Sequence, residues 1–411
     1  MTRRRTRKLL IVTAALAVAV LLGIWLLRSP RLPAVWSVVI NEQAATFAAD
    51  GKTFLTVRQS NQLADRPRLS RRSLVDGRVV VSGSPGSERL PDGRQATFVS
   101  AIDVADRSVH VLGFDAGGSQ RESLLLSGSE VGEPLTVSSE LGSGSFYRWF
   151  VRRPAGGFLM SSMEDASSRE VTGTILHWTG DRWEPRWTQR DRLPVDVSGD
   201  GRQVLASEYA KPNATAARPV FGGTRLVDLE SGEEQVLPDA DGQPVTGDIT
   251  PVQFVGGDRV LFTAEQSVTP PFVGQLVFYD VRARTWTQPY VLASSSRSQV
   301  GLGQVRISPD GWIAVLVYSI NSLGPVSLNQ LHLHLLHVDL ARSDRRLDVK
   351  WHRHIRLGRL VRMGGWRKAL GAERATTSEL SGEHRLLVTT ESGGRFTTHR
   401  FDLPALKAAD E

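Results

Sequence analysis

The chain has 411 residues, of which 40% are hydrophobic, and it has no cysteine, which excludes disulfides, thiol nucleophiles and thiolate metal sites. The 50 Lys and Arg against 43 Asp and Glu give a net charge of +7, but residues 1–31 contain seven of the cations and no acid. Residues 32–411 are therefore formally neutral, which excludes nucleic acid as the partner that the high pI would suggest.

Residues 9–27 form an apolar run of nineteen residues, Leu9 to Leu27, without an ionisable side chain. As a helix this run would be about 28 Å long, close to the hydrocarbon thickness of a bilayer. Five cations precede it, whereas only Arg28 and Arg31 follow it closely. Because cations are retained on the cytoplasmic side, the sequence predicts a single-pass anchor in the cell (inner) membrane, with a cytoplasmic N-terminus and an extracytoplasmic remainder.

A cleaved signal peptide is the alternative, because it shares the basic leader and the apolar core. Its apolar region is usually shorter and ends at a small-residue cleavage site, whereas Leu27 is followed by Arg-Ser-Pro. Both interpretations export the rest of the chain, to the periplasm in a bacterial cell.

After residue 32 the chain consists of short runs rich in Val, Leu, Phe and Thr, separated by Gly, Asp, Ser and Pro, which is typical of strands joined by turns. One unit of strand, turn and strand recurs. Its clearest copy is VRISPDGWIAVLVY, where Ser308 to Gly311 form the turn, because Pro fixes φ and Gly accepts positive φ. The turns of the copies lie near Asp50, Asp106, Gly156, Asp200, Gly257, Asp310 and Gly382.

Successive turns are separated by 56, 50, 44, 57, 53 and 72 residues, so the last interval is too long for the period of the others. A second hairpin is visible around Gly180-Asp181, Ser231-Gly232 and Arg282 to Arg284. Four short strands in each period are the sequence signature of a propeller blade. The sequence therefore predicts an all-β, seven-bladed β-propeller, with six or eight blades as alternatives.

The copies resemble the repeats of WD40-like and TolB-like propellers, of a membrane-anchored bacterial type, whose blades often carry an S-P-D-G turn and a third strand ending in Asp. The resemblance covers residues 34–403, and the copy at Ser308 to Gly311 matches the turn fully. No copy carries the Gly-His and Trp-Asp pair of regular WD40 repeats. The resemblance therefore implies an architecture and not an activity.

The seventh copy stops after its third strand, between Phe396 and Leu403, although a propeller must close into a ring. The segment from Ala34 to Ile40 precedes the first blade and is a suitable strand, so we expect it to complete blade seven. The predicted organisation is a cytoplasmic leader (1–8), a transmembrane helix (9–27), a linker (28–33), the propeller (34–403) and a C-terminal tail (404–411).

Five of the nine histidines lie within residues 332–354. On a strand His332 and His334 would share one face and His337 would point the other way, while His352 and His354 offer a second pair. Because neutral imidazoles bind Zn²⁺ or Cu²⁺, His332, His334, His352 and His354 are candidate metal ligands. The alternative, which the sequence favours, is a set of half-buried polar side chains without a metal.

Residues 350–374 carry eight Lys and Arg against one Glu and lie inside the overlong interval. Insertions in repeat proteins often form exposed loops on the binding face. One interpretation is a short amphipathic helix whose Arg353, Arg356, Arg359 and Arg362 bind an anionic lipid surface or an acidic partner. The alternative is an ordinary solvated loop whose charge is balanced elsewhere.

Linear signatures of catalysis are absent from the sequence: it has no H-E-x-x-H, no G-x-S-x-G and no P-loop. The sequence thus predicts no catalytic residue and no cofactor, and it favours a membrane-anchored, non-enzymatic scaffold that binds another protein. The alternative is a propeller enzyme of the lactonase or glycosidase kind. Its metal or carboxylates would come from several blades and meet at the mouth of the central channel.

Overall fold

The part of the chain that the computed structural model describes begins at Leu32. It comprises residues 32–40, 44–58, 68–83, 93–94, 96–106, 108–115, 122–143, 147–164, 170–210, 220–237, 248–256, 258–266, 269–323, 326–343, 345–363 and 366–411. The anchor predicted over residues 9–27 lies outside these residues. Within them, no helix has both the length and the apolar composition that crossing a membrane requires.

The described residues form a seven-bladed β-propeller, and each blade is one antiparallel sheet. Blade one contains β2 (Ala44–Phe47), β3 (Thr53–Arg58), β4 (Arg68–Ser73) and β5 (Val79–Gly83). Blade two contains β6 (Ala96–Asp103), β7 (Val109–Asp115), β8 (Glu122–Gly128) and β9 (Thr136–Ser143). Blade three contains β10 (Tyr147–Arg153), β11 (Gly156–Glu164), β12 (Val171–Trp178) and β13 (Trp183–Arg190). Blade four contains β14 (Arg192–Val197), β15 (Gln203–Ala210), β16 (Val220–Asp228) and β17 (Glu234–Val236).

The remaining blades depart from the four-strand plan. Blade five contains β18 (Asp248–Val255), β19 (Arg259–Gln266), β20 (Phe272–Asp280), β21 (Thr285–Trp286) and β22 (Tyr290–Ser295), and both β21 and β22 pair with β20. Blade six contains β23 (Gln299–Ile307), β24 (Trp312–Leu323), β25 (Val326–Val338), a 3-10 helix (Leu340–Arg342), β26 (Val349–Met363) and β27 (Trp366–Gly371). Blade seven contains β28 (Arg374–Thr377), β29 (Arg385–Ser392), β30 (Arg395–Asp402) and β1 (Trp36–Val39), and helix α1 (Leu403–Asp410) follows β30.

All seven turns predicted from the sequence join the first and second strands of a blade. The turn of blade six illustrates the chemistry, because Ser308 Oγ bonds to Asp310 at 2.6 Å and accepts the Trp312 N–H at 3.0 Å. Gly311 has φ +95°, and a Cβ at this position would lie 2.1 Å from the Val338 carbonyl oxygen. Only glycine therefore fits this turn.

The first turn and the third turn of each blade lie on one side of the propeller, here called the turn face. Antiparallel strands that are consecutive in the chain require this arrangement, because the first and third strands run in the same direction. Hydrogen bonds between the two turns show it directly. In blade six the Val338 N–H donates to Gly311 O at 2.9 Å, and in blade seven the Leu403 N–H donates to His384 O at 3.2 Å.

The apolar core lies between neighbouring blades, and it fixes which way the side chains of β25 point. Leu336 and Val338 pack into the cluster shared with blade five, whereas Leu333 and Leu335 pack into the cluster shared with blade seven. Because side chains alternate along a strand, every second residue of β25 faces blade five.

The predicted closure of the ring is confirmed. Strand β1 is the outer strand of blade seven and pairs with β30, with Trp36 opposite Arg400 and Val39 opposite Thr397. The tail predicted over residues 404–411 forms most of α1, whose Ala405 N–H is capped by the Asp402 side chain at 3.2 Å.

The interpretation of residues 350–374 as a loop with a short helix is wrong. Residues 349–363 form β26, and the chain then turns back as β27, a fifth strand of blade six. Side chains alternate between the two sides of this strand. The buried Trp351 and Ile355 therefore lie on one side, and His352 and His354 lie on the other. Lengthened strands and one added strand, rather than a solvated loop, account for the overlong interval.

Candidate functional site

The four candidate histidines meet on the side of blade six that faces blade five. His334 and His354 lie directly opposite each other in the ladder between β25 and β26, and their ring centroids are 4.7 Å apart. Nδ1 of His334 is 3.0 Å from Nε2 of His352, and Nε2 of His354 is 2.6 Å from Nδ1 of His332. The four histidines thus lie in contact with one another, and His337 points the other way, as expected for a strand, and stacks on Trp312.

Two further side chains extend these contacts, and sequence reasoning did not single them out. The Tyr290 hydroxyl of blade five lies 3.1 Å from Nδ1 of His352, and Gln330 Oε1 lies 3.1 Å from Nε2 of His332. We call the four histidines together with Tyr290 and Gln330 the histidine array. Tyr290 has no local motif that marks it, because only the docking of blade five on blade six brings it to the site.

The histidine array is half open to solvent along the outer side of the groove between the two blades. His334 is 7% exposed, whereas His352 and His354 are exposed. Burial, with smaller contributions from neighbouring His354, lowers the pKa of His334 to about 3 and that of His332 to about 4. Burial also lowers the pKa values of His352 and His354. All four rings are therefore neutral at pH 7, each able to donate one hydrogen bond and accept another.

A metal centre is not formed by these rings as they stand. Among the described residues, no three His, Asp or Glu side chains are placed so that they could hold a metal ion. The nitrogens of the array instead meet in pairs, each close enough for one N–H···N hydrogen bond. The geometry suits hydrogen-bonded recognition better than coordination.

Acidification is expected to destabilise the domain through the array. Because the folded-state pKa values of His332 and His334 lie below the unfolded value near 6.5, the unfolded chain binds more protons between those limits. Stability is therefore complete above about pH 6.5 and is lost as the pH falls toward about 4. Between pH 7 and pH 5 the free energy of unfolding of a His332→Gln/His334→Gln variant should fall by about 3–4 kcal/mol less than that of the wild type, about 2 kcal/mol for each histidine, in urea unfolding. An Arg190→Gln control, on the exposed outer strand of blade three, should follow the wild type, and an identical loss in all three proteins would contradict this account.

The four arginines predicted to bind an anionic partner are divided between different surroundings. Arg353 forms an ion pair with Asp410 of α1 at 2.8 Å, and Arg359 is only 7% exposed. Arg356 lies on the opposite side of β26 from Arg353, near His332 and His354, where its charge helps to lower their pKa values. The side chain of Arg362 lies outside the described residues. Of the three arginines whose side chains the structure describes, Arg356 stands beside the exposed histidines, and its binding role stays a prediction.

The end of the central channel at the turn face holds a second group of charged residues. Arg153, at the end of the first strand of blade three, forms a buried ion pair with Asp196 of blade four and lies 3.5 Å from Glu379 of blade seven. Blades three and seven are not neighbours in a ring of seven, so this contact crosses the channel. Burial opposes the charge of Arg153, but Asp196 and Glu379 raise its pKa.

The alternative of a propeller enzyme requires carboxylates from several blades at the mouth of the central channel. Among the described residues, Asp196 and Glu379 are two carboxylates at that mouth. Both contact Arg153, and both also act on the charge of Arg306 from blade six. Each carboxylate thus forms an ion pair with a guanidinium group from another blade. These four side chains therefore favour a structural crosslink of blades three, four, six and seven.

Comparisons with known proteins bear on the fold alone. No protein-family model and no curated protein matches the sequence. TolB from Acinetobacter baumannii is 12% identical, with 85% of this chain and 80% of that chain covered and a TM-score of 0.40. The β-propeller domain of the Trilobed protease from Pyrococcus furiosus is 10% identical, with 90% and 97% covered and a TM-score of 0.49. Oligogalacturonate lyase in complex with manganese is 11% identical, with 77% and 95% covered and a TM-score of 0.39. The similar structures thus include TolB, a protease domain and a lyase, and likeness at this level carries no argument about activity.

Proposed function

We propose that this chain is a propeller tethered to the outer face of a membrane, where it acts as a non-enzymatic scaffold that binds a protein partner through the histidine array. The observation that carries the proposal is the uncharged row of imidazoles, exposed at His352 and His354, that ends at Tyr290 and has Arg356 beside it. Tyrosine and arginine are enriched in protein interfaces, and charged side chains are depleted from interface centres.

The chemistry of the array indicates what the partner presents. Neutral His352 and His354 can each form hydrogen bonds with peptide groups or polar side chains. Arg356 adds a cation at the edge of the row, and a guanidinium pairs best with a carboxylate. The array therefore suits an extended, acidic segment of another protein lying in the groove between blades five and six.

The tether in this proposal rests on the apolar run over residues 9–27 and on the five cations before it. It also agrees with the position of β1, because the described chain enters the propeller at the outer edge of blade seven. A segment that leads directly into an outer strand can hold the domain at a membrane without interrupting the ring.

Site-specific photo-crosslinking in intact cells tests the proposed binding surface. The full chain would carry a photo-crosslinking residue either at His354 or, as a control, at the exposed Arg190 on the outer strand of blade three. We expect a discrete adduct of higher mass from position 354 only. Adding Arg356→Gln and His352→Ala should reduce the yield of that adduct about tenfold or more, because the few dominant side chains near the centre of an interface contribute about 2 kcal/mol or more each. The same adducts from both positions, or none from position 354, would contradict the proposal.

A further inference from the structure

Three exposed arginines line a cleft of about 490 Å³ on the turn face, where blades five and six meet. Arg342, Arg345 and Arg346 belong to the connection between β25 and β26, and Gln288 of blade five also lines the cleft, with its N–H donating to Arg345 O at 2.6 Å. Among the described residues, no ion pair involves Arg345 or Arg346. The neighbouring carboxylates of Asp339 and Asp348 both lie within 4 Å of Lys350, at 3.9 and 2.6 Å.

This cleft suits phosphate groups better than a carboxylate from the same chain. Guanidinium groups bind phosphate oxygens in a bidentate manner, and three of them around one cleft can hold more than one phosphate. Arg342 is 3.7 Å from Asp339, and the charges of Arg342 and Arg346 both act on Asp348, so these two arginines are partly compensated, whereas Arg345 is exposed and has no ion pair among the described residues.

A cluster of exposed valines lies on the same turn face, at the edge where blades seven and one meet. Val35 is 56% exposed just before β1, Val75 is 79% exposed in the third turn of blade one, and Val79 and Val80 are 48% and 56% exposed at the start of β5. Blades seven and one are joined here, because Trp36 Nε1 donates to Leu74 O at 2.9 Å. Large apolar side chains concentrated in one exposed place mark a contact surface.

The N-terminal segment enters the propeller between these two features. Leu32 packs against the cluster shared by blades six and seven, together with Leu406 of α1. Only residues 28–31 separate Leu32 from the apolar run that ends at Leu27, and such a segment spans at most about 17 Å. If residues 9–27 cross a bilayer, the turn face of blades six, seven and one must lie close to its surface.

We propose that the turn face docks on the anionic bilayer in which the N-terminal segment is anchored. Arg342, Arg345 and Arg346 bind lipid phosphates on one side of the tether, and the four valines enter the headgroup region on the other side. This inference rests on the proposed tether and adds a fixed orientation to it. The histidine array then lies farther from the membrane than the cleft lined by Arg342, Arg345 and Arg346, in the same groove between blades five and six.

The absence of cysteine allows a direct test in the full chain, because single cysteines can be labelled without background. The chain would be reconstituted into phosphatidylcholine vesicles with or without phosphatidylglycerol, carrying a fluorophore on Val75→Cys or on Ile320→Cys. Ile320 is 40% exposed and lies eight residues beyond Trp312 along β24, about 26 Å from the turn face. With nitroxide-labelled lipid headgroups, we expect several-fold stronger quenching at position 75 than at position 320 when the bilayer is anionic.

Charge removal distinguishes phosphate binding from simple proximity. Arg342→Gln/Arg345→Gln/Arg346→Gln should reduce the quenching at position 75 in anionic vesicles to its value in neutral ones. Arg68→Gln/Arg190→Gln/Arg395→Gln removes the same charge from exposed positions at strand ends opposite the turn face and should leave the quenching unchanged. The wild-type signal should also fall at high salt, because the Debye length shrinks from about 8 Å at physiological ionic strength to about 3 Å at 1 M.

Two results would overturn the inference in different ways. If the chain stays in the vesicles while positions 75 and 320 are quenched equally, the docking is wrong and the tether stands. If the chain does not remain with the vesicles at all, the tether fails and the docking fails with it. Unchanged quenching in the Arg342, Arg345 and Arg346 variant would show that these arginines bind no lipid phosphate.

Discussion

A domain that begins at residue 42 is expected to be far less stable than one that begins at residue 32. The longer domain keeps β1 and the two residues that flank it. The Val35 N–H donates to Arg400 O at 2.8 Å, and the Ile40 N–H donates to Phe396 O at 3.0 Å. The shorter one loses this strand and leaves β30 as an unpaired edge. It also loses the stacking of Trp36 on Phe54 of blade one, with ring centroids 5.6 Å apart, which weakens an inter-blade contact that Leu387 of blade seven also makes with Phe47, Phe54 and Leu74.

The magnitude follows from the groups that the truncation exposes. Loss of the half-buried Trp36, the buried Ile40 and several backbone hydrogen bonds should cost at least about 3–5 kcal/mol, a large part of the 5–15 kcal/mol typical of a domain. Urea unfolding monitored by tryptophan fluorescence measures the difference between the two domains.

Point variants separate the role of the strand from that of chain length. Trp36→Ala should destabilise the domain by about 2 kcal/mol, because it removes an inter-blade contact and a hydrogen bond to Leu74 O. Val39→Ala is the matched control, since Val39 is 61% exposed, and it should change stability by about 0.5 kcal/mol or less. Equal unfolding midpoints for the domains that begin at residues 32 and 42 would contradict the closure by β1.

The blade repeat was predictable because its turns are stabilised by neighbours in sequence. Asp50 accepts the N–H groups of Lys52 and Thr53, both at 2.8 Å, and Ser198 bonds to Asp200 at 2.6 Å. Such local hydrogen bonds need no tertiary contact, so the residue types alone indicate the turn. The closing strand was also predictable. The last blade lacked one strand in the sequence, the N-terminal segment offered a strand without a partner, and the ring closes when the second completes the first.

The strand over residues 349–363 was missed because its sequence fits two periods. Trp351 and Ile355 are four residues apart, which matches one face of a helix, and they also share one face of a strand. The hydrogen-bonded pairing of β26 with β25 along its whole length selects the strand over the helix, and this pairing depends on blade six as a whole. The intrinsic strand preference of these residues could not predict the strand, because strand formation depends on the packing around it.

The residues that complete the candidate sites had no signal in the sequence. Tyr290 reaches His352 from the neighbouring blade, 62 residues away, and Arg153 reaches Glu379 across the channel. These contacts follow from the order of the blades around the ring, which linear motifs do not encode. The histidine spacing, by contrast, already placed His332 and His334 on one face, and the structure bears out that alternation.

The orientation of the chain in the membrane is expected to give an all-or-none result, because it decides which compartment the propeller occupies. The leader carries five of the chain's cations within eight residues, and these should keep it in the cytoplasm. The propeller contains equal numbers of positive and negative charges in residues 32–411, so it adds no opposing bias.

Labelling with a membrane-impermeant maleimide in spheroplasts measures this orientation most directly. Full chains carrying only Glu411→Cys or only Thr6→Cys would be compared, since the native sequence has no cysteine. An extracytoplasmic, membrane-tethered propeller requires that position 411 is labelled in intact spheroplasts and that position 6 is labelled only after the membrane is permeabilised. Protection of position 411 until permeabilisation, with labelling of position 6 before it, would contradict the account.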